Sequence, residues 1–270
     1  MATLFEMQLV CDDVEHLDAV AVRIGEEIDR VERLLSRFDP ASEVHRVNRL
    51  AVQQSVRISV ELWEVLLQSR YWYQQTEGAF DVLHASTAPP TNDRWAVLEL
   101  EADSRRLRFT QPGVALDFGA YGKGYALDRV SELLAGYGVK HALVHGGASS
   151  ILARGNAPDG QPWRVKIARP QSQAVVAEMA LTDEALSTSW GYTPQESPAC
   201  SASVEEGCVV RHPSAAVAEV LSTAMVVKGQ QAARGFAEAL AIEAGWLTAM
   251  GELIWWRADV PQPWAMKVKS

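Results

Sequence analysis

Three short stretches of this 270-residue chain gather groups that could act on a ligand. In "LDFGAYGKGYALDRV", residues 116–130, Asp117 and Lys123 share eight positions with Gly119, Gly122 and Gly124. Free amides at a helix start, joined by a lysine, suit an anion. The glycines let backbone approach a ligand or take positive φ. Lys123 is followed by Gly124, so this is no Walker loop, and the dinucleotide spacing is absent. Alone, the stretch reads either as an anion-binding turn or as a strand-to-helix turn whose Asp and Lys pair at the surface.

The second stretch is "VAEVLSTAM". Glu219 and Thr223 lie four apart, on one face of an otherwise apolar helix. Both are hard oxygen donors, the kind Mg²⁺ takes along with phosphate oxygens. The bland alternative is a solvent-facing Glu and a Thr bonded back to a carbonyl. In the third, "TEGAFDV", Phe80 could lie on an aromatic ring and Asp81 could accept hydrogen bonds, or the segment is a structural turn. The six histidines show no metal spacing, and no nucleophile elbow or Ser–His–Asp pattern occurs.

These groups need elements to position them. "LFEMQLV" reads as a first strand, and Val20, Ile24, Ile28, Val31 and Leu35 place a helix over 16–36. Ser42 and Ser59 are suited to cap the next two helices. "AVLELEADSRRLRFT" reads as a hairpin about Asp103-Ser104. "VALDF" is predicted as a strand feeding the glycine motif, with a helix after it that Gly138 ends. "HALVHGGAS", "PWRVKIARP", "AVVAEMALTD", "GCVVRH" and "LIWWRAD" read as strands, and 214–228 and 231–243 as helices. Helices and strands mix without regular βαβ alternation, so the expected class is α+β.

Composition bounds the function. The formal charge of -9 argues against nucleic acid as a partner. Three irregular cysteines form neither a disulfide framework nor a zinc site. The start has no basic segment before an apolar run, and no stretch reaches the roughly 20 apolar residues of a membrane span. A soluble cytoplasmic protein is expected.

Six segments in order resemble the ApbE family, the FAD:protein FMN transferases: "LLSRFDPASEVHRVN", "TEGAFDV", "LDFGAYGKGYALDRV", "HALVHGGAS", "ALSTSWGY" and "VAEVLSTAM". The resemblance covers nearly the whole chain and implies one ApbE-like domain over 1–270, with the flavin nucleotide in a cleft between two lobes. It implies that Met1, Phe38, Ala79, Phe80, Asp81, Asp117 and Lys123 bind FAD. It implies that the Ala120 carbonyl, Glu219 and Thr223 hold Mg²⁺, and that Lys123 and Glu219 act in catalysis. The implied reaction moves FMN from FAD to a Thr or Ser hydroxyl of an acceptor protein and releases AMP. A noncatalytic FAD-binding protein and an FAD pyrophosphatase are the alternatives.

The chain departs from the family's pattern at three places. Glu219 stands where the family has Asp. Trp190 replaces the glycine of the family's T-S-G. "TPQESPACSASVEEG" fills the position of a His-x-x-Asp-Pro-x-Thr-Gly segment and contains no histidine.

Overall fold

The computed structural model describes residues 3–11, 13–88, 93–193 and 200–256, without the side chain of residue 14. Its centre is a seven-stranded antiparallel sheet, in the order β1 (Phe5–Val10), β5 (His141–Gly146), β6 (Ser150–Arg154), β9 (Glu184–Trp190), β10 (Gly207–His212), β11 (Glu243–Leu247) and β12 (Leu253–Trp256). Period-2 alternation makes both faces apolar. Ala142 and Val144 of β5 face α1 (Val14–Leu35) and α4 (Gly122–Gly136), through Val20, Ile24, Leu127 and Val130. Leu143 between them faces the hairpin of β7 (Trp163–Ala168) and β8 (Val175–Leu181). Cys208 and Val210 of β10 meet α5 (Ala215–Lys228) and α6 (Gln230–Ala239), while Val209 meets the hairpin.

A second packed body holds α2 (Glu43–Leu50), α3 (Val60–Gln75) and a small sheet ordered β2 (Val56–Arg57), β4 (Arg106–Phe109), β3 (Leu98–Glu101). Ser42 and Ser59 cap α2 and α3 as their positions suggest, accepting the N–H groups of His45 and Leu62. Ala216, Val220 and Ala224 of α5 complete this body's core. Helices and strands mix along the chain while every strand pairing among the described residues is antiparallel, which makes the class α+β. Among the described residues no helix is long and apolar enough to cross a membrane.

Three readings of the sequence change. The "VALDF" segment joins no sheet. Its backbone is held by side chains and a loop: Asn48 brackets Leu116 through both N–H and carbonyl at 2.8 Å, Ser86 Oγ takes the Ala115 N–H, and Val82 takes the Asp117 N–H. The expected helix 231–243 stops at Ala239, because Ala241 turns to φ 51° and β11 begins at Glu243. Pairing with β10 overrides the helix propensity of this Ala- and Glu-rich run. Strands β6 and β9 were not evident in the sequence, and β9 carries much of the site.

Candidate active site

The two packed bodies meet at the turn formed by residues 117–123. A cavity of about 600 Å³ lies on one side of it, bordered by Ala120, Lys123, Glu219, Thr223 and the end of β9. A smaller cavity of about 250 Å³ lies on the other, bordered by Leu35, Phe38 and Phe118. Asp117, Gly119 and Lys123 border both.

Local chemistry fixes this turn. Asp117 Oδ1 accepts the Gly119 N–H at 2.8 Å, closing an Asx turn. Its other oxygen pairs with Arg37 Nε at 2.9 Å and lies 3.6 Å from His84 Nε2. The helix that follows is packed unusually close to α5. A Cβ on Gly124 would stand 2.4 Å from the Ala215 carbonyl oxygen, so only glycine fits. Asp128, one turn further, caps α5 from outside. It accepts the N–H groups of Ala215 (2.6 Å) and Ala216 (3.1 Å) and the Ser214 hydroxyl (2.6 Å). Burial, its largest influence, still pushes the Asp128 carboxyl above its usual range.

Glu219 is the node between the two helices. It is 3% exposed, so the solvent-facing reading of this residue fails. Its carboxylate accepts the Gly124 N–H at 2.7 Å and the Ser150 hydroxyl at 2.9 Å, and pairs with Lys123. Donating to Glu219 takes the Gly124 N–H away from the Ala120 carbonyl four residues back. Among the described residues no backbone N–H reaches that carbonyl. Thr223, one turn beyond Glu219, shares a 3.3 Å hydrogen bond with Ser189. A chain of hydroxyls continues beneath: Ser189 to Ser222 at 2.8 Å and Ser222 to Ser187 at 3.0 Å.

An under-satisfied carbonyl, a carboxylate and a hydroxyl thus border one cavity, and all are oxygen donors. They suit a hard divalent cation such as Mg²⁺. Among the described residues, no cluster of three or more His, Cys, Asp and Glu side chains offers another site.

The remaining expected binding residues are placed differently. Phe38 is 76% exposed beside the smaller cavity, with the Arg37 guanidinium 4.4 Å from its ring centroid. Phe80 is buried in the core, its ring 6.4 Å from that of Tyr121. Asp81 pairs with Arg94 at 2.8 Å and accepts the Leu83 N–H, while burial pushes its carboxyl up. Ala79 packs partly buried against the same core. Ala79, Phe80 and Asp81 border neither cavity. Met1 lies outside the described residues.

Sequence reasoning passed over Arg37, His84, Asp128 and the serines of β9. Period-2 spacing of Ser187 and Ser189 was the available signal. His212 sits at the entry to α5, where its Nδ1 accepts the Ser214 N–H at 2.9 Å. Burial lowers its pKa to about 4.

The ApbE family profile matches residues 1–246. The chain belongs to the ApbE family. Among curated relatives, a FAD:protein FMN transferase of Chlamydia pneumoniae is 28% identical over 190 residues, 62% of this chain and 58% of that one. Another, from Rhodobacter capsulatus, is 31% identical over 199 residues, 65% of this chain and 37% of its own length. The chain therefore spans well under two thirds of these relatives. The solved flavin transferase ApbE of Vibrio cholerae superposes with a TM-score of 0.74 at 22% identity, covering 91% of this chain and 90% of that one. The ApbE protein of Thermotoga maritima gives 0.75 at 16% identity, covering 95% and 96%. These two likenesses establish the ApbE fold.

Proposed function

We propose that this chain is a Mg²⁺-dependent FAD:protein FMN transferase. The observation that best supports this is the meeting of Ala120, Lys123, Glu219 and Thr223 in one cavity, from segments far apart in the sequence. FAD is an extended molecule with a ring system at each end and a pyrophosphate between. Two cavities joined at Lys123 and the α4 N-terminus match that shape. Asp117, held by Arg37, keeps the joining turn in place, and Phe38 offers an apolar edge to the smaller cavity.

The acceptor's Thr or Ser oxygen bonds to the flavin-side phosphorus of FAD. The phosphorus–oxygen bond to AMP breaks, and the hydroxyl proton leaves with AMP or solvent. Lys123 pairs with the pyrophosphate oxygens and neutralises charge developing on the leaving AMP. Ala120, Glu219 and Thr223 would hold Mg²⁺, which supplies further screening of the phosphates. Glu219 keeps Lys123 directed into the cavity, and the serine chain fixes the Thr223 hydroxyl.

The test is incubation with FAD, Mg²⁺ and a flavin-acceptor domain, reading AMP release and acceptor mass together. One AMP per FMN-modified acceptor is expected. AMP without acceptor modification would make the protein a pyrophosphatase. FAD binding with neither product would make it a noncatalytic flavin binder, the reading that the missing histidine segment favours.

A further inference from the structure

We propose that Trp190 is a stacking wall for the isoalloxazine ring of FAD, and so a specificity-determining residue of this chain. This rests on the FAD reading of the site. Trp190 ends β9 directly after Ser189 and is partly buried. Trp190 packs against the hairpin-side core and is among the residues bordering the 600 Å³ cavity that Lys123 and Glu219 also border.

The ring is held from both its neighbours. The Arg169 guanidinium carbon lies 5.7 Å from the indole centroid, within cation–π range. Arg169 cannot easily leave, because it donates to three carbonyls: Glu205 at 2.6 Å, Thr248 at 2.9 Å and Ala249 at 2.8 Å. Across the β9–β10 ladder, Trp190 pairs with Gly207. A Cβ there would stand 2.9 Å from Trp190 Cε3, so glycine makes the room the indole needs. A large ring with a dedicated cradle, at the border of a polar cavity, is a preorganised surface for another flat ring.

Size selects which ring. Isoalloxazine has three fused rings and adenine two, and the cavity beside Trp190 is the larger, about 600 Å³ against about 250 Å³. Since the family's pattern has glycine at this position, the stack is a property of this chain and its Gly207 and Arg169 partners.

The test compares native protein with W190G and W190F by flavin fluorescence and calorimetry, using FAD, FMN and ADP. Native protein should quench flavin emission. W190G should bind FAD and FMN roughly tenfold more weakly, with less quenching, as loss of one aromatic stack implies. ADP affinity should be unchanged in W190G, which also shows that the site is intact. W190F should keep the quenching and stay within roughly threefold of native affinity, since a phenyl ring still stacks. Equal FAD affinity in W190G and native protein would overturn the inference. So would a loss confined to ADP, or a W190F as weak as W190G. If W190G does not fold, W190L decides on the same criteria: a roughly tenfold loss for FAD and FMN with ADP unchanged supports the stack, and native FAD affinity overturns it. A native protein that binds no FAD would remove the flavin reading itself, and the stack with it.

Discussion

Replacing Glu219 by Gln keeps the side chain's size and removes its charge. The carboxylate side chain is 4% exposed and that of its partner Lys123 21%. Removing one member of a buried ion pair costs about 3–5 kcal/mol. Two features reduce that here. Lys123 borders open cavity on both sides and can turn toward water. The amide oxygen can still accept the Gly124 N–H, and the amide nitrogen can donate to Ser150. About 2 kcal/mol then remains, which corresponds to a fall in Tm of about 5 °C for a chain of this size. Glu219→Asp keeps the charge but is one methylene short of spanning both Gly124 and Ser150, and should cost about 1 kcal/mol. Calorimetry and urea titration at neutral pH measure both. The double variant E219Q/K123M should lose less than the sum of its parts, with a coupling of about 1–2 kcal/mol. Additive losses, or an E219D less stable than E219Q, would refute the view that the charge pair ties α4 to α5.

Three further outcomes follow from the same geometry. Lys123→Ala should weaken FAD binding by roughly tenfold to a hundredfold, through loss of a charged donor to the pyrophosphate, as read by fluorescence titration. Gly124→Ala should destabilise by about 3 kcal/mol in chemical denaturation, because the new Cβ meets α5 backbone, at 2.4 Å from Ala215 oxygen, and not a movable side chain. His212 takes its proton only near pH 4 when folded and near 6.5 when unfolded, so the unfolded chain binds the extra proton between them. Stability should therefore rise with pH across that window, by on the order of 2–3 kcal/mol, and His212→Gln should flatten this part of the pH profile.

Local signals carried most of the outline. Caps at Ser42 and Ser59, the apolar stripe of α1 and the glycine motif before α4 all depend on residues near one another, and each was legible. The misread elements are those whose partners are distant. The 114–118 segment is extended because Asn48 stands in for a neighbouring strand, and nothing beside it in sequence reveals that. Residues 240–243 read as the end of a helix until β10 is placed next to Glu243. The site divides the same way. Family order marked Lys123, Glu219 and Thr223, and the geometry gathers them. The Arg37–Asp117 pair, the serine chain and the Arg169 clamp under Trp190 arise from tertiary approach of side chains with no sequence spacing of their own.

The close seam of α4 on α5 bears on how the protein is made. Gly124 and Asp128 find their partners at Glu219 and at Ser214–Ala216, some ninety residues later in the chain. During synthesis the loop carrying Lys123 emerges long before the helix that fixes it. The early body fares no better, since Ala216, Val220 and Ala224 of α5 belong to its core. Contacts of such long separation form slowly. A nascent chain stopped before α5 would expose the apolar surfaces of both bodies, a ready target for a chaperone, and would present no finished cavity at Lys123. The cavity bordered by Lys123, Glu219 and Thr223 is therefore complete only once α5 has docked.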